Sequence, residues 1–335
     1  MPSGISIIIC TKNRSADLAI TLDSVFSQSI LPDSLVIVDD GDIDNTRPVL
    51  KKNDSTPEIR VVYIHPEKES SGLPAARNRG IHAIPDLTGI ILFLDDDVTL
   101  EDTYLEKLRD LFLKNPDLCG ASGFIRNGNY RRSLPVKVLL LIAGFILPPL
   151  VPASLFGPRV TRTAEALYPV FRKPRADAVP AQWLSGCNMA YRSTVFKRGV
   201  VFDEQLTRYA LGEDMLFSHR LYQNGKKILL SYNALLSHRV SGEGRIPPFR
   251  KLVMIFGYRK YAISRFFQNG MLSSFWYAVF VIQCVLSSFI TSIRNGRGLA
   301  PVKEVIRAYH MTREFEKEIG SGNLERFNVV LSRLM

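Results

Sequence analysis

Residues 90–97 read Ile-Ile-Leu-Phe-Leu-Asp-Asp-Asp, five apolar residues running straight into three carboxylates. The run is too short for a helix and fits a strand buried on both faces. In an open parallel sheet, whatever follows such a strand arrives at the carboxyl edge, where ligands bind. Asp95 and Asp97, two residues apart, can present oxygens to one hard divalent cation, which would in turn hold phosphate oxygens. The plainer reading is an acidic turn before a helix, with Thr99 as the N-cap and Asp102 three residues on in capping-box spacing. Both readings can hold at once.

Upstream, residues 5–10 read as a first buried strand, and Ser15 as the cap of a helix reaching Gln28, with Leu18, Leu22, Val25 and Phe26 on its apolar face. Residues 35–38 lead into Asp39-Asp40-Gly41-Asp42, a second strand that ends in acids. A short helix at 46–53, a strand at 60–64 and a helix at 73–84 carrying Arg77 and Arg79 complete the approach to residue 90. This alternation predicts an α/β fold with a mostly parallel, doubly wound sheet and right-handed crossovers. It also puts the carboxylates of Asp40 and Asp95 on one edge. A carboxylate after the second strand can accept hydrogen bonds from a nucleotide base or ribose. Turn chemistry accounts for Gly41 or Asp42 but not for the Asp39-Asp40 pair.

Downstream, a helix at 102–114 and a strand at 119–125 are followed by a change of composition. Arg131, Arg132 and Lys137 precede an apolar run at 138–147 that Pro148, Pro149 and Pro152 interrupt. Prolines remove backbone bonds that lipid cannot replace, so this run predicts a helix buried in protein or lying in a membrane interface. Residues 157–180 read as a basic loop. Order resumes with a strand or loop at 183–191, where Gly186 permits close backbone approach. Gly212-Glu213-Asp214 leads into a helix ended by Asn224-Gly225. Two short strands at 227–231 and 234–237 precede His238. Residues 249–267 form a basic, aromatic helix. Residues 271–293 are 23 residues without a charge, about 35 Å as a helix and long enough to cross a bilayer core. Residues 301–335 read as charged, amphipathic helix.

The chain has 335 residues, with 43 Lys and Arg against 32 Asp and Glu, a net charge of +11. That balance suits a phosphate-rich partner, whether nucleic acid, nucleotide or anionic membrane. Cys10, Cys119, Cys187 and Cys284 are far apart and form no C-x-x-C, which argues against a zinc site or disulfide framework. No secretory leader is read in the first residues.

Six stretches then carry a resemblance: Ile-Cys-Thr-Lys-Asn-Arg (9–14), Val-Asp-Asp-Gly (38–41), Ala-Arg-Asn-Arg-Gly-Ile (76–81), Phe-Leu-Asp-Asp-Asp (93–97), Ser-Gly-Cys-Asn-Met-Ala-Tyr-Arg (185–192) and Gly-Glu-Asp-Met-Leu-Phe-Ser-His-Arg-Leu (212–221). In this order and spacing the chain resembles the inverting family 2 glycosyltransferases of GT-A fold, over residues 4–126 and 182–265. The resemblance implies a nucleoside-diphosphate-sugar donor and Mn2+ or Mg2+ as cofactor. Asp40 would contact the base, near the backbone of Cys10 and Thr11, where Cys10 departs from the Pro-Thr usual in the family. Arg77 would sit near the diphosphate. Asp95 and Asp97 would form the D-x-D that meets ribose and metal, with Asp96 counted beside Asp95 on the nucleotide side. Asp214 would be the catalytic base, Glu213 would orient it or touch the acceptor, and His238 would be a further metal ligand.

The organisation expected is a nucleotide-sugar-binding half at 1–126, a basic and hydrophobic insertion at 127–181, an acceptor-binding and catalytic-base half at 182–248, and a helical membrane-associated region at 249–335. A single crossing at 136–156 would separate Asp97 from Asp214, so that run must be buried, in-plane or re-entrant. The acceptor expected is lipid-linked or polysaccharide, with no nucleic-acid partner, at the cytoplasmic face of the cell membrane. Two other readings stand beside this one: a sugar-phosphate nucleotidyltransferase, although residues 10–14 lack the glycine-rich loop of that class, and a non-catalytic basic membrane-binding protein, which leaves the acidic clusters unexplained.

Overall fold

Apolar residues in the predicted strands alternate between two cores, which is why the runs are continuous. β1 (Ile5–Thr11), β2 (Ser34–Asp39) and β4 (Ile90–Asp95) send Ile7, Ile9, Leu35, Ile37, Leu92 and Leu94 to one face. Ile8, Val36, Val38, Ile91 and Phe93 go to the other. The first face packs on α1 (Ser15–Phe26) and α4 (Tyr104–Lys114). The second packs on α3 (Leu73–His82) and α6 (Glu213–Gln223), with the short α5 (Thr194–Lys197) beside them. The computed structural model describes residues 4–41, 46–52, 59–66, 72–84, 86–127, 157–169, 176–241, 246–296 and 298–334.

Among these residues nine strands form one sheet in the order β3-β2-β1-β4-β10-β6-β11-β5, with β9 paired to β11. β3 (Arg60–Ile64), β2, β1 and β4 are parallel, and α2 (Arg47–Lys52) lies between β2 and β3 in the chain. β10 (Asn188–Arg192) runs antiparallel between β4 and β6 (Leu118–Ile125), so the sheet is mixed. β11 (Lys227–His238) is parallel to β6 and antiparallel to β9 (Ala178–Pro180) and β5 (Val98–Leu100). β7 (Arg159–Val160) and β8 (Ala166–Leu167) form a separate pair.

Several local expectations change. Residues 98–100 pair with Leu236–His238 of β11 and form a strand, so Thr99 caps nothing; α4 starts at Tyr104, with Thr103 at the cap position. Ser15 is the first residue of α1, and Arg14 holds the cap position. The two short strands expected near 227–237 are one strand, whose register shifts between Ser231 and Leu235. The Ser231 hydroxyl accepts from the amides of Asn233 and Ala234 across that irregularity. Part of the expected basic loop at 157–180 is the β7–β8 pair and β9, which joins the main sheet. The apolar run at 138–147 lies outside the described residues.

After β11 come α7 (Pro248–Phe266), α8 (Gly270–Asn295), α9 (Ala300–Arg313), α10 (Glu316–Ser321) and α11 (Glu325–Arg333). Phe256, Tyr261, Trp276, Phe280, Ile319 and Phe327 pack them into a core of their own. α8 is long and apolar enough to cross a membrane.

The side chain of Arg192 ties the end of α4 to the sheet. Arg192 donates from Nε to the Leu118 carbonyl (2.7 Å) and from Nη2 to the carbonyls of Phe112 (2.8 Å) and Asn115 (3.0 Å). It also lies over the Phe112 ring. Arg192→Ala is expected to destabilise the protein by about 2–3 kcal/mol in urea unfolding, because it strips a charged donor from buried carbonyls. Loss below about 0.5 kcal/mol would mean that solvent satisfies those carbonyls.

Candidate active site at the carboxyl edge of the sheet

The strand alternation that separates the two cores also sorts the acids. Asp95 continues the odd-numbered face of Ile91 and Phe93, toward α3 and α6. There Arg77 reaches it at 3.5 Å. Asp96 points to the opposite side, toward α1. Its carboxylate is fully buried, with Thr11 Oγ1 donating at 2.6 Å and Arg14 paired at 2.7 Å. Burial pushes the Asp96 carboxyl up to about 7, against the pull of Arg14 and the Thr11 hydroxyl. Asp96, counted from the sequence among nucleotide contacts, is thus turned into the protein. It braces the loop from below, while Asp95 is part-exposed and Asp97 turns to His238.

Asp97 is placed by β5. Because Val98 pairs with His238, Asp97 lies against the end of β11, and the Arg239 amide donates to the Asp97 carbonyl (2.9 Å). His238 Nε2 stands 2.9 Å from Asp97 Oδ1, and the Ser241 amide donates to Oδ2 at 2.9 Å. Burial works to raise the Asp97 carboxyl, but the His238 bond and charge, the Ser241 amide and Arg14 outweigh it and bring it down to about 2. Burial likewise opposes the charge on His238, and the bond to Asp97 overcomes it, pushing the imidazole up to about 11.

Asp95, Asp97 and His238 each offer a ligand atom, and these atoms lie within 4.8 Å of one another. Two carboxylates and an imidazole are a donor set that fits a divalent cation, and the nitrogen suits Mn2+ better than the oxygen-preferring Mg2+. A cation there would replace the proton on His238, since a ligating imidazole must be neutral.

The other half of the site comes from the start of α6. Gly212, at φ 85°, turns the chain into the helix so that Glu213 and Asp214 occupy its first turn, where the helix dipole favours acids. Asp214 Oδ2 accepts from the Gly186 amide and Oδ1 from the Met215 amide, both at 2.8 Å. Burial raises its pKa, opposed by the Gly186 amide and Arg77. Glu213 is buried and ion-paired with Arg77, which is itself 3% exposed. Arg77 also donates to the Gly186 carbonyl at 3.1 Å. One guanidinium therefore ties Asp95 on β4 to Glu213 on α6, and the diphosphate contact expected of Arg77 has to be made over this commitment. The sequence feature at Gly186 has its reason here: a Cβ would sit 3.0 Å from Arg77 Nη2 and 3.3 Å from Asp214.

On the far side, Asp40 follows β2, with its amide bonded to the Thr11 carbonyl (2.9 Å) and its carboxylate 3.4 Å from Arg79. Asp39 is buried and accepts from Tyr63 Oη and the Gly41 amide, which accounts for the first member of that pair. Cys10 pairs with Asp95 across β1 and β4, and burial pushes its thiol up to about 12, so it stays neutral.

Sequence reading passed over three residues that organise this edge. Arg14 pairs with Asp96 and stands 3.6 Å from Asp97. Arg239 donates to the carbonyls of Val98 (2.9 Å) and Asp17 (2.8 Å) and so clamps the acidic loop onto α1. Ser241 supplies an amide to Asp97. A basic residue directly after His238 was the only signal for Arg239. Arg14 closes the 9–14 stretch that carries the family resemblance, which assigned it no role.

The sequence model of the family described as Glycosyl transferase family 2 matches residues 6–199. Chondroitin synthase of Escherichia coli is 27% identical over 232 residues, covering 66% of this chain and 32% of that protein, so the chain spans about a third of that relative's length. The O-antigen chain rhamnosyltransferase RfbN of Salmonella typhimurium is 24% identical over 238 residues, covering 70% of this chain and 66% of that protein. Among solved structures, the mannosyltransferase PcManGT from Pyrobaculum calidifontis, in complex with GDP-Man and Mn2+, is similar in fold, with a TM-score of 0.53 at 13% identity over 96% of this chain and 86% of that one. With more than half of its length matched by the family and its strands laid out in the GT-A manner, the chain belongs to glycosyl transferase family 2.

Proposed function

We propose that this chain is a metal-dependent inverting glycosyltransferase that moves a sugar from a nucleoside-diphosphate sugar to a hydroxyl of a lipid-linked or polysaccharide acceptor. The observation that carries this reading is the cluster of Asp95, Asp97 and His238, linked through Arg77 to Glu213, whose neighbour Asp214 is held by the same Gly186 backbone that Arg77 contacts. The names of the relatives, a chondroitin synthase and an O-antigen rhamnosyltransferase, favour a glycan or glycan-carrier acceptor. Nucleotide sugars are abundant in the cytoplasm, which favours the cytoplasmic face of the membrane.

Each group has a task in that reaction. A divalent cation held by Asp95, Asp97 and His238 would supply Lewis-acid neutralisation of the leaving diphosphate. Asp40 and the backbone at Cys10 and Thr11 receive the nucleoside. Asp214 takes the proton of the acceptor hydroxyl as the acceptor oxygen bonds to the anomeric carbon. The bond from that carbon to the diphosphate breaks, and the nucleoside diphosphate departs with the electron pair. Attack opposite the leaving group inverts the anomeric centre. Glu213 and Arg77 are positioning residues that hold the Asp214 turn against β4. The span 1–126 serves the donor and 182–248 the acceptor and base, and the insertion at 127–181 lies between them in the chain.

Four outcomes test this. Purified protein is expected to release nucleoside diphosphate from one sugar donor with Mn2+ or Mg2+ and not with EDTA, and Asp97→Ala to lose both turnover and metal-dependent nucleotide binding by calorimetry; unchanged binding in the variant would remove the metal assignment. Asp214→Asn should lower kcat by about 10²–10⁴-fold with nucleotide affinity kept. The base works only when deprotonated and burial raises its pKa, so wild-type kcat/KM should fall with acidity at a pH above the ordinary carboxylate value of about 3.9. An acid limb at or below that value would point to another base. Finally, Arg77→Met leaves Glu213 buried without its cation and should cost about 3–5 kcal/mol of stability, much of it recovered in Arg77→Met/Glu213→Gln; additive losses in that double-mutant cycle would show that the pair is not coupled.

A further inference from the structure

One face of α8 is buried in its first third and again near its end, with Val281, Cys284 and Val285 half-buried between. Ser273, Trp276, Tyr277, Phe280 and Ser292 are buried, and the first and last of them are about 28 Å apart along a helix. The cover is α7 and α9, which pack on α8 and on each other. α9 exposes Lys303, Glu304 and Arg307 to solvent. A hydrocarbon core is about 30 Å thick. If α8 crossed it in this arrangement, α9 would be carried in alongside, with charges that hydrocarbon strongly disfavours.

The opposite face is apolar and open. Phe275, Ile282, Leu286, Phe289, Ile290 and Ile293 are 45–68% exposed and follow one side of the helix at spacings of three, four and seven. Monomeric soluble proteins rarely leave so long an apolar stripe uncovered. The surroundings indicate what covers it. Residues 248–334 hold 13 Lys and Arg against 5 acidic residues, so eight of the eleven net positive charges lie in the helical region that carries the stripe. An exposed apolar face on a region of net positive charge matches the interface of an anionic bilayer.

We propose that α8 lies in the plane of an anionic membrane surface, with its exposed stripe in the headgroup–acyl boundary, and does not cross the bilayer. The helical region is then a one-sided foot, and α9 to α11 stay on the same side of the membrane as the acidic site. This deepens the membrane part of the proposed function and is independent of the sugar-transfer chemistry.

The test uses the full chain and sealed vesicles of phosphatidylcholine with or without phosphatidylglycerol. Wild type is expected to float with the phosphatidylglycerol vesicles, to be weakened by salt, and to bind phosphatidylcholine alone at least about tenfold less well. A C-terminal tag on the bound protein is expected to be removed by protease added outside. Ile282→Ser/Leu286→Ser/Phe289→Ser leaves the charge unchanged and should reduce vesicle binding at least about 30-fold, with the melting temperature and donor turnover kept. Vesicle binding with a tag protected in the lumen would overturn the in-plane arrangement. So would a triple variant that binds as wild type, or a wild type that stays off vesicles and forms dimers the variant breaks. If the variant does not fold, the salt dependence and tag protection of wild type still decide. Loss of donor turnover in wild type with docking intact would count against the transferase reading alone.

Discussion

The Arg77 guanidinium, 3% exposed, pairs with buried Glu213 and reaches Asp95 and the Gly186 carbonyl. Carboxylates gathered at one edge repel one another, and a buried acid without a cation is strongly destabilising. Arg77 answers both constraints from a single position on α3. It also fixes the relation between the two parts of the chain that build the site, since Asp95 ends a parallel strand of the first part and Glu213 opens a helix of the second. Gly186 is small for the same reason: its backbone lies between Arg77 and Asp214.

The remaining acids are distributed by the pleat of the strand. Successive residues of β4 face opposite sides, so Asp95 and Asp96 are neighbours in sequence and occupy different environments. Asp96 is enclosed by Thr11 and Arg14, on the side of α1, and holds the loop. Asp97 is then carried by β5 to His238. A run of three aspartates is thereby divided between different partners, Arg77 for Asp95, Thr11 and Arg14 for Asp96 and His238 for Asp97, which lowers their mutual repulsion and leaves donor atoms of Asp95, Asp97 and His238 close together. Arg239 adds a clamp, joining the carbonyls of this loop to α1.

The helical region follows a different logic. Its core is made among its own helices, and α8 contributes one face to that core while leaving the other apolar and exposed. A helix wrapped in protein on one side only differs physically from one surrounded by lipid, although the two have the same composition.

The strands as far as β4, the acids at their carboxyl ends and the uncharged stretch at 271–293 were legible in the sequence, because each depends on residues close together in the chain: an apolar run, a charge after a strand. The pairing of β5 with β11 was not, since it joins residues over 130 positions apart, and with it went the expectation that Thr99 caps a helix. The inward turn of Asp96, the burial of Arg77 and the bracing roles of Arg14 and Arg239 were hidden for the same reason. What the amino-acid order determined by itself is which carboxylates arrive at the edge of the sheet. Only the tertiary structure decided which of them face outward and which are spent on holding the others, because that depends on cations supplied from α1, α3 and the segment after β11, and a linear pattern carries no record of those distances.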